Sequence, residues 1–197
     1  MKNMTKLRRL VLSFANPRTW RSRNDTASKQ WQQLRQKILE RDGFACQYCG
    51  YKSNKFQIVH HIDGNPKNSN ENNLTTTCQM CNLIEHSGQG CVLKGIVDLY
   101  KISKYNQTEI IKITRDMRDR GKDDQEIIRF LGLKEKAHFK MDKKWLSGLF
   151  GFITSRPSRQ EDDMYDKWLS YHRSRLVINE SQQKTLPTIY QFKSQCL

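Results

Sequence analysis

No stretch of this 197-residue chain is apolar over the roughly 20 residues that a membrane-spanning helix needs, and its mean hydropathy is low, at −0.83. The run Leu10–Ala15 follows basic residues. It is shorter than the roughly 7–15 residues of a signal-peptide core, and Asn16-Pro17-Arg18 interrupts it. The expectation is a cytoplasmic protein with no membrane partner. Internal repeats and low-complexity tracts are also lacking, which argues against a repeat array. Acidic residues are scarce beside basic ones: 20 Asp/Glu against 35 Lys/Arg give a net charge of +15 and a pI near 9.7.

That charge is unevenly placed. Residues 1–45 carry +8, residues 46–100 none, residues 101–160 +7, and residues 161–197 none. A neutral centre between two basic flanks suggests a polyanion held by the flanks and processed in the middle. Arg18, Arg21, Arg23 and Lys29 lie on the first flank. Lys140, Lys143 and Lys144 cluster at an expected helix start, where they oppose the helix dipole. Helix stability does not call for them there, so they are candidates for phosphate contact, with duplex DNA as the expected partner.

The neutral centre holds the metal chemistry. Cys46-x2-Cys49 and Cys78-x2-Cys81 each offer two sulfurs from one turn, a spacing that suits one tetrahedral Zn²⁺. In a reducing compartment such pairs favour metal over disulfide. A four-cysteine site keeps no open position and is structural. Cys91 and Cys196 remain as ordinary free thiols. Between the pairs lies Val59-His60-His61-Ile62-Asp63-Gly64, at the end of an expected strand Phe56–Ile62. Adjacent strand residues face opposite sides, so the two histidines can do two different jobs. A helix starting near Cys81 would carry Asn82 and His86 on one face. Phosphodiester hydrolysis needs such a set: a base to activate water, and a cation beside the leaving oxygen.

Over roughly Trp31–His86 the chain resembles the HNH endonuclease superfamily. The match is carried by Leu39–Gly50, Val59-His60-His61-Ile62, Asn73-Leu74 and Cys78-Gln79-Met80-Cys81-Asn82. The resemblance implies a zinc-pinned ββα-metal (HNH/His-Me finger) core. It makes His61 the general base and His60 a ligand of a catalytic divalent ion, Mg²⁺ or another. It makes Asn73 the brace of the loop that orients the base, and Asn82 a second ligand where many members have His. His86 would be a further ligand or a phosphate contact. A second, narrower resemblance is to the IcmJ/DotN family of zinc proteins in type IVB secretion coupling complexes. It rests on Asn16–Trp20, the Lys37–Asp42 approach to Cys46–Gly50, and Asn68–Leu74. It implies a non-catalytic adaptor that docks a protein partner through its C-terminal region. A scaffold has no need to hold His60, His61, Asn73 and Asn82 together, so metal-dependent DNA cleavage is the expectation and the adaptor the alternative. A zinc-finger transcription factor would need a base-reading helix and has no use for the histidine pair.

The expected fold is α+β: a basic arm over residues 1–27, the HNH module over 28–90, a helical C-terminal region over 91–178, and a polar tail over 179–197. The first helix runs over Ser28–Asp42, with Trp31, Leu34 and Ile38 as its apolar stripe and Gly43 as its stop. Beyond Gly90 the pattern reads as four helices: Thr108–Arg118; one capped by Asp123 and Glu126 and ended by Gly132; one capped by Asp142 and carrying Trp145, Leu146, Leu149, Phe150 and Ile153; and one through Tyr165, Trp168, Leu169 and His172. The pair around Gly121 reads as a plain αα-hairpin, because Asp123, Asp124 and Glu126 would repel phosphates from a reading helix.

Overall fold

The computed structural model describes residues 7–14, 28–87 and 95–155. Arg18, Arg21, Arg23, Cys91, Cys196, the helix expected through Tyr165–His172 and the tail lie outside the described residues.

Helix α1 (Lys29–Arg41) forms as its sequence dictates. Ser28 caps it, its hydroxyl accepting from the Trp31 amide at 3.2 Å. The apolar stripe buries Ile38 and Leu39 against Val59 and Leu74, with Trp31 and Leu34 at the margin. The helix ends at Asp42, and the chain turns through Gly43 and Phe44 at positive φ, 61° and 53°. Asp42 then ties the helix end to the sheet, its carboxylate accepting from the Thr76 amide at 2.8 Å.

Strands β1 (Gln57–His61) and β2 (Leu74–Cys78) pair antiparallel, with His60 opposite Thr75 and His61 opposite Leu74. A single 3-10 turn at Glu71–Asn73 closes their connection. Helix α2 (Gln79–Glu85) follows β2 directly, with Cys78 as its N-cap. This is the expected ββα unit.

The region beyond is not all helical, and here the sequence expectation is corrected. Helices α3 (Gln107–Asp119) and α4 (Asp124–Leu131) are present, each opened by a capping box, Asn106/Glu109 and Asp123/Glu126. Gly132 stops α4 in the left-handed conformation, φ 64°. They pack on a three-stranded antiparallel sheet in the order β4 (Lys134–Ala137), β3 (Val97–Ile102), β5 (Phe150–Ile153). The third expected helix shrinks to α5 (Lys143–Ser147), capped by Asp142, and Phe150 and Ile153 belong to β5 instead. Helical periodicity continues through Leu149 and Ile153, but Gly148 and Gly151 fall inside it. A short apolar run between glycines reads equally as a buried strand.

One core joins the two halves. It draws on Leu10 and Leu12 from the N-terminal segment, the four cysteines, Ile84 of α2, Val97 and Leu99 of β3, Ile111 of α3 and Ile153 of β5. Residues 7–14 are thus built into the fold rather than forming a free arm: Leu12 is 1% exposed, and the Arg8 amide donates to the Gln47 carbonyl at 2.7 Å. A second cluster around Phe152, Tyr100, Ile110, Ile127 and Leu131 fills the space under α3 and α4.

The seam between the halves is tight at Gly151. A Cβ there would stand 2.7 Å from Ile84 Cδ1 and 2.9 Å from Leu12 Cδ2. The buried Gln107 amide clasps the same residue, accepting from its N–H at 2.7 Å and donating to its carbonyl at 2.8 Å. Gly151→Ala is therefore expected to destabilise the protein by about 1–3 kcal/mol, the usual cost of overpacking a filled core. Chemical denaturation checks this, and an unchanged midpoint would mean that the seam can open.

Candidate metal and phosphodiester site

The cysteine cage is assembled from a tight turn and a strand–helix junction. Cys46 and Cys49 sit in the turn after Gly43–Phe44; Cys78 ends β2 and Cys81 lies in the first turn of α2. All four are buried, and their sulfurs lie within 4.8 Å of one another. The Cys49 and Cys78 sulfurs are 3.7 Å apart. A disulfide would need about 2.05 Å. A tetrahedron of Zn–S bonds of about 2.3 Å has edges of about 3.8 Å, so the spacing suits metal. The acidities agree. Hydrogen bonds from Cys49, Cys78 and Cys81 hold the Cys46 thiol far below its ordinary range, while Cys78 and Cys81 are driven up. Four sulfurs cannot all be thiolates in this space without a cation.

The histidines divide as strand alternation requires. His61 faces α1, its ring stacked on Trp31 at 5.6 Å between centroids and 10° between planes. Its Nε2 is buried without a hydrogen-bond partner, so Nδ1 is the candidate atom for proton transfer. Burial pushes its pKa below the ordinary value, against the pull of Asp63, so the ring is neutral and basic at pH 7.

His60 faces the other way, toward α2, and is 5% exposed. Its Nδ1 lies 3.0 Å from His86 Nε2, with the rings edge to face. The Asn82 side chain lies beside His60 as well and pulls its pKa upward. Burial first, and then the neighbouring His86, push the His60 pKa down to about 3. A neutral imidazole is the form that ligates metal. His60, Asn82 and His86 thus converge from β1, from the first turn of α2 and from the C-cap of that helix. Two imidazole nitrogens at this distance, with an amide beside them, suit a divalent ion.

Asn73 spans the loop after the histidines. Its amide nitrogen donates to Asp63 Oδ1 at 2.9 Å and to the Asn68 carbonyl at 2.8 Å, and its Oδ1 accepts from the Asp63 amide at 3.1 Å. Its carbonyl accepts from the Ile62 amide. These bonds fix the chain immediately after His61.

The basic candidates are divided. Lys29 opens α1, two residues before Trp31. Lys143 and Lys144 open α5, with Lys140 just before it. The Lys140 ammonium lies 4.4 Å from the Trp145 ring centroid, and that of Lys143 5.9 Å from Phe14. A cleft of about 650 Å³ lies between residues 7–11, Tyr48 and the start of α3, and none of the histidines lines it.

Three residues gain a part that sequence reasoning did not give them. Trp31 was read only as core, although its place on the stripe facing β1 could have suggested the stack. Glu85, one turn beyond Cys81, has its carboxyl raised to about 7 by burial, partly offset by Arg8. Arg115, on α3, donates to the Cys78 sulfur at 3.2 Å and lies 3.8 Å from that of Cys49. No spacing rule links Arg115 to the cysteines.

Comparison with known proteins agrees with this geometry. Residues 46–88, from the first cysteine to just past α2, match the HNH endonuclease family. The Type 4 apparatus protein DotN of Legionella pneumophila is 32% identical to this chain over 69 residues, 34% of this chain and 32% of that protein. The chain therefore spans about a third of the length of this curated relative.

Proposed function

We propose that the protein is a metal-dependent endonuclease that hydrolyses DNA phosphodiester bonds. The observation that carries this reading is the division of labour across β1: a neutral His61 on one face, and His60 with His86 and Asn82 on the other. His61 Nδ1 takes a proton from water, the water oxygen attacks phosphorus, and the bond to the 3′-oxygen breaks. That oxygen leaves with a proton from solvent, giving a 5′-phosphate and a 3′-hydroxyl. A divalent ion on His60, Asn82 and His86 would supply charge stabilisation for the phosphorane and the departing oxygen. Trp31 holds the His61 ring by stacking, and Asn73 fixes the loop that follows it. The cysteine cage fixes the angle between β2 and α2, and with it the distance from His60 to His86.

A second reading, a non-catalytic adaptor in a larger assembly, is favoured by the likeness to the Type 4 apparatus protein. Supercoiled plasmid incubated with zinc-loaded protein and added Mg²⁺, Mn²⁺ or Ni²⁺ separates the two. Metal-dependent conversion to nicked or linear DNA supports the enzyme. Intact plasmid under all three ions supports the adaptor.

The basic flank gives an independent expectation. Lys143→Glu with Lys144→Glu places acidic groups in the first turn of α5, where they favour the helix. An unchanged thermal midpoint would show that a loss of duplex affinity is not a folding defect. Affinity is expected to fall alike for all sequences, and the dependence of log K on log salt to flatten by about 0.9 for each lost phosphate contact. An unaltered salt slope would remove α5 from the DNA-binding surface.

A further inference from the structure

We infer that Arg115 is an outer-sphere clamp on the cysteine cage, setting how firmly the metal is held and tying helix α3 to it. This rests on the cage, not on the nuclease reading. Four thiolates around one Zn²⁺ leave a net charge of −2, enclosed here by side chains at most 5% exposed. Such a charge is costly to bury unless a cation shares it. The Arg115 guanidinium does so with two of the four sulfurs, donating to Cys78 from Nη2 at 3.2 Å and approaching Cys49 with Nη1 at 3.8 Å. Those two sulfurs come from opposite CxxC pairs, so one planar group spans both halves of the cage. The guanidinium is itself held flat, 4.0 Å from the centroid of the Tyr51 ring, just beyond the first pair. A planar fork presents donors from two separate nitrogens in a fixed geometry, one to each sulfur; an ammonium must offer its donors from a single nitrogen on a flexible stem.

Arg115 lies in the middle of α3, and the same helix contributes Ile111 to the core that contains the four cysteines. Metal binding is therefore coupled through this side chain to the region beyond the HNH-matching segment. Loss of zinc removes the ordered thiolates that Arg115 grips and loosens α3 as well as the cage.

The test uses the zinc-loaded full chain and follows transfer of zinc to a chromogenic chelator, 4-(2-pyridylazo)resorcinol. Arg115→Gln keeps donors but loses the charge, and is expected to release zinc about 10-fold faster or more, in line with the 10–100-fold cost of removing an outer-shell partner. Arg115→Lys keeps the charge without the fork and should fall between this variant and the wild type. Arg120→Gln, exposed on the same helix and paired with Asp116, should release zinc at the wild-type rate. Equal rates for Arg115→Gln and wild type would overturn the clamp. Should Arg115→Gln fail to fold, amide hydrogen exchange on the wild type decides. Zinc removal should speed exchange in residues 107–119 together with residues 74–81, and loosening confined to residues 74–81 would overturn the coupling.

Discussion

His61→Ala is expected to lower plasmid cleavage by about 10²–10⁴-fold, the usual cost of losing a positioned base, while zinc content and duplex affinity stay at wild-type levels. The side chain faces α1 and is not among the cage ligands. Among the described residues its ring stacks on Trp31, at the edge of the small α1–sheet core. Its removal therefore leaves Ile38, Leu39, Val59 and Leu74 packed, and the thermal midpoint should fall only slightly. His60→Ala differs in kind. It removes a buried nitrogen 3.0 Å from His86 and should raise the concentration of added divalent ion needed for cleavage. The two variants therefore separate base from ligand: one lowers the rate at saturating metal, the other shifts the metal requirement. If His61→Ala cuts plasmid like the wild type, the base lies elsewhere and the division of labour across β1 is wrong.

The parts of the site that could be read in the sequence are those governed by short-range rules. Two CxxC pairs specify a cage because each turn is local. The opposite facing of His60 and His61 follows from strand alternation, and the placing of Asn82 with His86 from helical spacing. The Asp123/Glu126 capping box and the Gly132 stop are equally local, and both stand in the structure. What escaped depends on partners distant in the chain. The strand β4, Lys-Glu-Lys-Ala, carries no apolar signal and exists because it pairs with β3 at the edge of a sheet. Strand β5 was drawn into a helix because Trp145, Leu146, Leu149, Phe150 and Ile153 fit a 3.6-residue period. The pairing of Val97 with Ile153 and the clasp of Gln107 on Gly151 override that period. Arg115 reaches Cys78 across 37 residues. The basic flanks show the converse limit. Charge counts find them, but only folding separates Lys29 on α1 from Lys143 and Lys144 on α5.

Cys78→Ser should produce the largest loss of stability of any substitution considered, because four kinds of constraint meet at that residue. It ends β2, pairing with Gln57 across the sheet. It is the N-cap of α2, which carries Asn82 and is closed by His86. Its sulfur is a cage ligand 3.7 Å from that of Cys49. The same sulfur accepts from Arg115. Serine restores the cap and the strand but not the ligand, since a neutral hydroxyl binds Zn²⁺ poorly beside three thiolates. Structural zinc contributes about 10–16 kcal/mol of apparent binding energy in small zinc domains, as large as the whole stability of an ordinary domain, about 5–15 kcal/mol. The variant is therefore expected to purify without zinc and to lose the native packing of residues 44–86. Because Cys78, Leu12 and Ile153 share one core, the three-stranded sheet should loosen with them. Elemental analysis and a heteronuclear NMR spectrum read both effects. A Cys78→Ser protein with a dispersed spectrum and one equivalent of zinc would show that three sulfurs suffice, and that the cage does not hold the ββα unit together. A zinc-free variant that keeps the sheet resonances native would instead confine the metal's contribution to the knuckle and α2.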